Sequence, residues 1–283
     1  MSIQWFPGHM TKTRRNIEQD IKLVDVVIEL LDARIPLVSR NPDINMLTHG
    51  KPRVTVLNKA DMADSARTNE WIKYFSENGI KVCVTDCQSG RGVSNVLETV
   101  REVLSKKIEA NAKRGVKKNI KLMIVGVPNV GKSSFINKIS KKSSAKVGDK
   151  PGVTRGKQWI RLASGYELLD TPGILWPKFE DERVGLYLAF TGAIKDEIVD
   201  SEELACSLIG VLRLGGYEKN ICERYKISEI TDELTTYEIL ELIGKNRRFL
   251  RSGGVIDTER AAKILLDEFR GCKLGRITLE RAE

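Results

Sequence analysis

The chain has 283 residues, 41% of them hydrophobic and 30% charged, a composition that excludes intrinsic disorder and suffices for one well-buried domain plus a smaller second unit. Its 47 Lys+Arg against 38 Asp+Glu leave a net charge of +9, which attracts polyanions, nucleic acid first, although a merely solvated basic surface has the same composition. Five dispersed cysteines beside two histidines fit neither a disulfide framework nor a paired zinc site. The segment MSIQWFPGHMTKTRR lacks a signal peptide's apolar stretch, and no run approaches the ~20 apolar residues of a membrane span, so a cytoplasmic protein without membrane contact is expected.

In chain order, apolar runs at residues 24–31, 53–57, 81–85, 120–125 and 166–169 predict strands, most of them continuous rather than alternating, as in a sheet covered on both faces. Helical periodicity falls at residues 71–77, 93–105 and 132–138, and this βαβ rhythm predicts a doubly wound α/β domain. The polar, basic stretch at 106–121 reads as a surface connector. Beyond Trp176 the strand signals stop, and LYLAF, ELACSLIGVLRL, TTYEILELIG and TERAAKILLDEF predict helices. The expected division is an α/β domain over 1–176 and an α-helical domain over 177–283, with no internal repeat.

Gly126-Val-Pro-Asn129-Val130-Gly131-Lys132-Ser133 follows a predicted strand and opens a predicted helix, the context a phosphate loop requires. Its backbone N–H groups and helix N-terminus suit phosphates, Lys132 would reach the β- and γ-phosphates, Ser133 would ligate Mg²⁺, and Ser134 follows in the same turn. The alternative is a glycine-rich turn. Asp170-Thr-Pro-Gly173 ends the last strand, setting a carboxylate near the magnesium shell, through water, and a glycine N–H at the γ-phosphate. Thr154, in Pro151-Gly-Val-Thr154, is the candidate for a threonine that closes over Mg²⁺.

Asn58-Lys59-Ala60-Asp61 follows the strand RVTVL, where a carboxylate can accept two hydrogen bonds from guanine N1–H and its exocyclic amine, a pair that adenine does not offer. Lys59 would lie along the base, and Asn58 would tie neighbouring loops together. In ordinary GTPases the base-reading segment follows the phosphate loop, whereas here it precedes it, so the order is circularly permuted. The chain resembles the circularly permuted GTPases of the ribosome biogenesis GTPase A family, through Trp5-Phe-Pro-Gly-His9-Met, Asp32-Ala-Arg34, Asn58 to Asp61, Gly126 to Ser133, Pro151 to Thr154 and Asp170-Thr-Pro-Gly-Ile-Leu-Trp176. That resemblance implies a P-loop GTPase acting in late assembly of the large (50S) ribosomal subunit, binding its rRNA, stimulated by the particle and released or switched by hydrolysis. It also implies a segment whose backbone reads the guanine carbonyl, here Asp86-Cys87 in TDCQSGRG, a departure from the usual Ser-Ala type.

Where many GTPases orient water with a glutamine after D-x-x-G, this chain has Ile174. His9 is either a structural histidine of a turn or the group that acts instead, and the resemblance assigns it to catalysis. Asn129 is either an ordinary loop residue or, as in potassium-activated GTPases, a carbonyl holding K⁺ against the phosphates. Asn246-Arg247-Arg248-Phe-Leu-Arg251 before Ser252-Gly-Gly254 reads as a solvated helix end on composition alone, and as an RNA contact once net charge and resemblance are added. The expected protein is a monomer that binds GTP and GDP. Two other classes stay open: a GTP-dependent RNA-binding switch with negligible hydrolysis, and a P-loop kinase, in which the base-reading string would have no role.

Overall fold

The computed structural model describes residues 9–116, 118–142, 159–162, 165–171, 173, 175–176, 179 and 181–282, with the backbone alone at 9–14 and 142. Among these residues six strands, β1 (Val26–Asp32), β2 (Arg53–Asn58), β3 (Val82–Val84), β4 (Ile120–Val125), β5 (Trp159–Leu162) and β6 (Tyr166–Leu169), form one sheet in the order β3-β2-β1-β4-β6-β5. Every pairing is parallel except the antiparallel β5–β6 edge. β1 is buried along its whole length, which explains its unbroken apolar run with only Glu29 and the terminal Asp32 charged. Arg40 and Arg53 approach the Glu29 carboxylate at 3.4 and 3.2 Å, the pairing that a charge inside a sheet requires.

Helices cover both faces. On one side α4 (Val93–Val103) and α6 (Lys132–Lys142) bury Val93, Val96, Val100, Phe135 and Ile139 against Ile28, Leu30 and Ile124. On the other, α1 (His9–Asp20) supplies Ile17, which packs with Val27, Met123 and Leu169, and α3 (Ser65–Glu77) sets Trp71 and Phe75 against Leu31 and Leu57. A short α2 (Ile44–Leu47) lies between β1 and β2. The predicted 106–121 connector is largely a helix, α5 (Ser105–Lys113), with no buried residue, and its last two residues already belong to β4. Lys and Ala are good helix formers, so a polar stretch forms an exposed helix without an apolar face. The β5 edge strand, in which only Leu162 is buried, is not among the predicted strands.

Beyond the sheet, α7 (Glu182–Phe190), α8 (Ser201–Leu214), α9 (Glu218–Tyr225), α10 (Thr236–Asn246) and α11 (Thr258–Arg270) form the helical unit. Asp181, Asp200 and Asp257 cap the first, second and last of these by accepting N–H bonds, and Thr235 with Glu238 makes a reciprocal box at α10. Leu204, Leu208 and Leu212, one turn apart on α8, meet Ile239, Ile243, Leu265 and Phe269 in a core continuous with that of the sheet. Residues 276–282 depart from the expected helical region: they form neither helix nor strand and lie back on the α/β part, where Ile277 donates to Met62 O at 3.1 Å and Leu279 to Arg34 O at 2.8 Å.

Candidate nucleotide-binding site

β4 ends in a loop that turns into α6 at Lys132. Asn129 (φ 57°) and Gly131 (φ 101°) bend that loop tightly, and a Cβ on Gly131 would stand 2.4 Å from Asn58 Nδ2, so only glycine fits. Val130 is buried beneath the turn, while Ser133 and Ser134 stand exposed in the first turn of α6, where unpaired N–H groups and the helix dipole favour an anion. The Lys132 ammonium folds over the loop, donating to Gly126 O at 3.1 Å and Val127 O at 2.9 Å. Burial lowers its pKa to about 8, with the Asp170 charge opposing.

Asp170 follows β6, beside that lysine. Burial raises its pKa above the ordinary carboxylate value, against the pull of Lys132. The next residue, Thr171, is buried and its hydroxyl donates to Ile124 O of β4, which fixes the loop against the phosphate-loop strand. A Cβ on Gly173 would meet Lys132 Nζ and Pro128 at 2.9 Å, so this backbone touches the phosphate loop directly. Thr154 and Ile174 lie outside the described residues, as does the side chain of His9, whose backbone opens α1.

Asn58, the last residue of β2, donates its amide to Val130 O at 2.9 Å and accepts from Thr85 Oγ1 at 3.1 Å. One buried amide thereby joins the phosphate loop, the base-reading loop and the end of β3. Lys59 adopts φ 61° and donates to Asp32 Oδ2 at 2.9 Å, while Ala60 N–H reaches Thr85 O at 3.2 Å, leaving Asp61 half-buried at the mouth. Asp32 also takes Arg34 through Nε at 2.9 Å and a terminal nitrogen at 2.8 Å. Burial works against its charge, but Arg34 and Lys59 hold it well below the usual carboxylate range. In the sequence, Asp32 and Arg34 count only as part of the resemblance, with no role; their signal is a pair of opposite charges where a largely apolar strand ends.

Asp86 turns its carboxylate on its own loop, accepting from Gln88 N–H at 2.8 Å, Ser89 N–H at 3.2 Å and the Ser89 hydroxyl. Burial pushes the Cys87 thiol up to about 11, which makes it inert as a nucleophile. With Asp86 committed to the turn and the Cys87 thiol buried, only the backbone of this pair suits contact with a base. In the helical unit, Arg247 contacts Glu268 at 3.0 Å and stacks over Tyr225, and Arg251 sits 3.1 Å from both Asp257 and Glu259. Arg248 is exposed, with φ 56°, at the turn after α10.

All these segments except the 247–251 group gather at the carboxyl ends of the parallel strands, and the sheet order sets β4 between β1 and β6. Fold and site therefore define a P-loop GTPase domain whose chain begins at the base-reading strands, a circular permutation, followed by a helical unit. The sequence matches the family described as "50S ribosome-binding GTPase" over residues 121–243 and that described as "RsgA GTPase" over residues 44–180. It is 48% identical to ribosome biogenesis GTPase A of Bacillus cereus across 100% of this chain and 95% of that protein. Mitochondrial ribosome-associated GTPase 1 of Bos taurus is 34% identical, across 98% of this chain and 88% of its own length. Among solved structures, GNP-bound YlqF from T. maritima superimposes with a TM-score of 0.66 at 28% identity, covering 96% of this chain and 99% of that one. The chain belongs to the ribosome biogenesis GTPase A family, and it is a GTP-hydrolysing enzyme of ribosome biogenesis.

Proposed function

We propose that this GTPase binds the precursor of the large ribosomal subunit through its rRNA and leaves it, or changes state on it, when GTP is hydrolysed. The observation that supports this reading is the Asn58 bridge, which joins the loop proposed to read guanine to the proposed phosphate loop. The relatives, one a ribosome biogenesis GTPase and one a ribosome-associated GTPase, support the choice of partner. In this reading Asp61 takes the guanine N1–H and amine, Lys59 lies along the base, the backbone of Asp86 and Cys87 meets its carbonyl, Lys132 holds the β- and γ-phosphates, and Gly173 meets the γ-phosphate. GTPases of this kind use Mg²⁺. The exposed Ser133 hydroxyl and the Asp170 carboxylate are hard oxygen donors that suit an ion retaining water, and Thr154 completes the set. Asn129 would help to hold K⁺. His9 would orient the attacking water, the role that the apolar Ile174 leaves open.

RNA contact falls to the exposed turn around Arg248. Arg247 and Arg251 would reach phosphate only by giving up carboxylate partners, which makes Arg248 the stronger of the three candidates. Co-sedimentation with purified large-subunit particles under GTP, a non-hydrolysable analogue, GDP and no nucleotide tests the proposal. Binding is expected in the GTP-like state and loss in GDP, with turnover rising on adding particles; equal sedimentation in all four conditions would refute the coupling.

A further inference from the structure

The base-reading loop is held from two sides. Upstream, Asn58 and Ala60 bond to Thr85 on the sheet. Downstream, the loop meets the non-helical stretch at residues 277–280, more than 200 positions away in sequence. Ile277 N–H donates to Met62 O at 3.1 Å, so the residue after Asp61 is anchored through its carbonyl. Thr278, fully buried, accepts from Asp64 N–H at 3.1 Å and donates to Ala33 O at 3.4 Å. Asp64 caps α3, and Ala33 lies between Asp32, which holds Lys59, and Arg34. A single hydroxyl thus ties Asp64, three residues past Asp61, to the residue beside the Lys59 partner.

The stretch is itself braced. Tyr217 OH accepts from Thr278 N–H and donates to Thr278 O, both at 3.2 Å, and Arg67, stacked over the Tyr217 ring, donates to the same carbonyl. Glu280 accepts from Leu37 N–H at 2.8 Å and Val38 N–H at 3.1 Å, pinning the other end beyond β1. The bonds at Met62, Asp64 and Ala33 fall beside the base-reading loop, and among the described residues none of these bonds falls on the phosphate loop.

We infer that Thr278 is a positioning residue for guanine recognition: it fixes the turn that presents Lys59 and Asp61, so nucleotide selectivity is set in part by a segment that follows the helical unit. This rests on the reading of Asp61 as the guanine acceptor. The test measures affinities for GDP and IDP, which lacks the 2-amino group, in the wild type, Thr278→Val, Thr278→Ser and Tyr217→Phe, together with turnover at saturating GTP. Thr278→Val should lower the GDP-over-IDP preference by about fivefold, the size of one lost buried hydrogen bond, with saturated turnover within about twofold of wild type. Thr278→Ser, which keeps the hydroxyl, should retain the preference, and Tyr217→Phe should move it in the same direction as Thr278→Val. An unchanged ratio in folded Thr278→Val and Tyr217→Phe, or a loss shared equally by GDP and IDP, would overturn the inference while leaving Asp61 in place. A wild type that does not distinguish GDP from IDP would instead remove the Asp61 reading, and the inference with it.

Discussion

In the proposed reading, Asp61 would carry the choice of base by the two acceptors of its carboxylate. Replacing one by an amide donor in Asp61→Asn leaves the guanine amine facing an N–H, while the 2-oxo group of xanthine can accept from it. The variant should bind GTP at least ~10-fold more weakly and prefer xanthosine triphosphate, because an unmade buried hydrogen bond costs about 1–3 kcal/mol; a competition assay with unchanged preference would refute the assignment. Lys132 makes a pH prediction. Burial brings the pKa of its amine to about 8, and phosphates bind the protonated form. Below that value no proton need be taken up, whereas above it binding requires one, so GDP affinity should be flat near neutrality and fall by up to ~10-fold per pH unit above about 8. Affinity that stays flat beyond pH 9 would show that Lys132 is not the phosphate partner. In the free protein the sign is opposite: a lowered lysine pKa means that the folded state binds fewer protons than the unfolded one, so this group's penalty on stability eases as pH rises from about 8 towards the ordinary lysine value.

Between elements, the decisive contacts are close approaches that no longer side chain allows. The loop after β6 reaches the phosphate loop at Gly173, where an added methyl would stand 2.9 Å from both Lys132 Nζ and Pro128. Gly173→Ala should therefore push the two loops apart, lowering GTP turnover by ~10-fold or more while GDP affinity stays within about threefold, since only the γ-phosphate side is displaced. Steady-state kinetics with GDP binding decides it, and wild-type turnover would refute the close approach. A second link joins the helical unit to the base side. Arg270 donates to Phe190 O at 3.0 Å and Ala189 O at 2.8 Å, and its own carbonyl lies 3.5 Å from Arg34, the partner of Asp32. Because Asp32 and Arg34 are each only 3% exposed, removing Arg34 leaves a buried charge with Lys59 alone, a loss of about 3–5 kcal/mol, whereas the exposed Lys73–Glu77 pair on α3 is worth at most about 1 kcal/mol.

At the scale of the whole molecule, the helical unit and the sheet share one core and a seam that opens into a cavity of about 960 Å³ lined in part by Arg40, Tyr187, Leu214 and Glu280. Burial raises the Glu280 carboxyl to about 7, overcoming the N–H bonds from Val38 and Leu37 and the charge of Arg183. A raised folded-state pKa means that the folded protein holds this proton more tightly than the unfolded chain. The stabilisation is complete below the unfolded value and is lost as pH rises through about 7. Glu280→Gln keeps an acceptor without the charge, so its melting temperature should gain on wild type by about 2–4 °C or more between pH 5 and 8. Parallel curves across that range would show that Glu280 does not titrate with folding.

What the sequence determined by itself is local: strand–loop–helix grammar at Gly126 to Ser133, four of the helices beyond Trp176, and the reversed order of base and phosphate segments. Each is written in neighbouring residues, where apolar period, glycine placement and a following lysine suffice. Pairings across long separations left no such mark. The β5 edge strand, the Asp32 to Lys59 ion pair, the Arg270 link and the return of residues 276–282 to the base-reading loop each join segments whose partners are chosen by three-dimensional packing. Ile277 and Leu279 in the sequence are two apolar residues near a helix; only the tertiary structure decides that Thr278 between them is buried, because only there do Ala33, Asp64 and Tyr217 supply the hydrogen bonds that its burial requires.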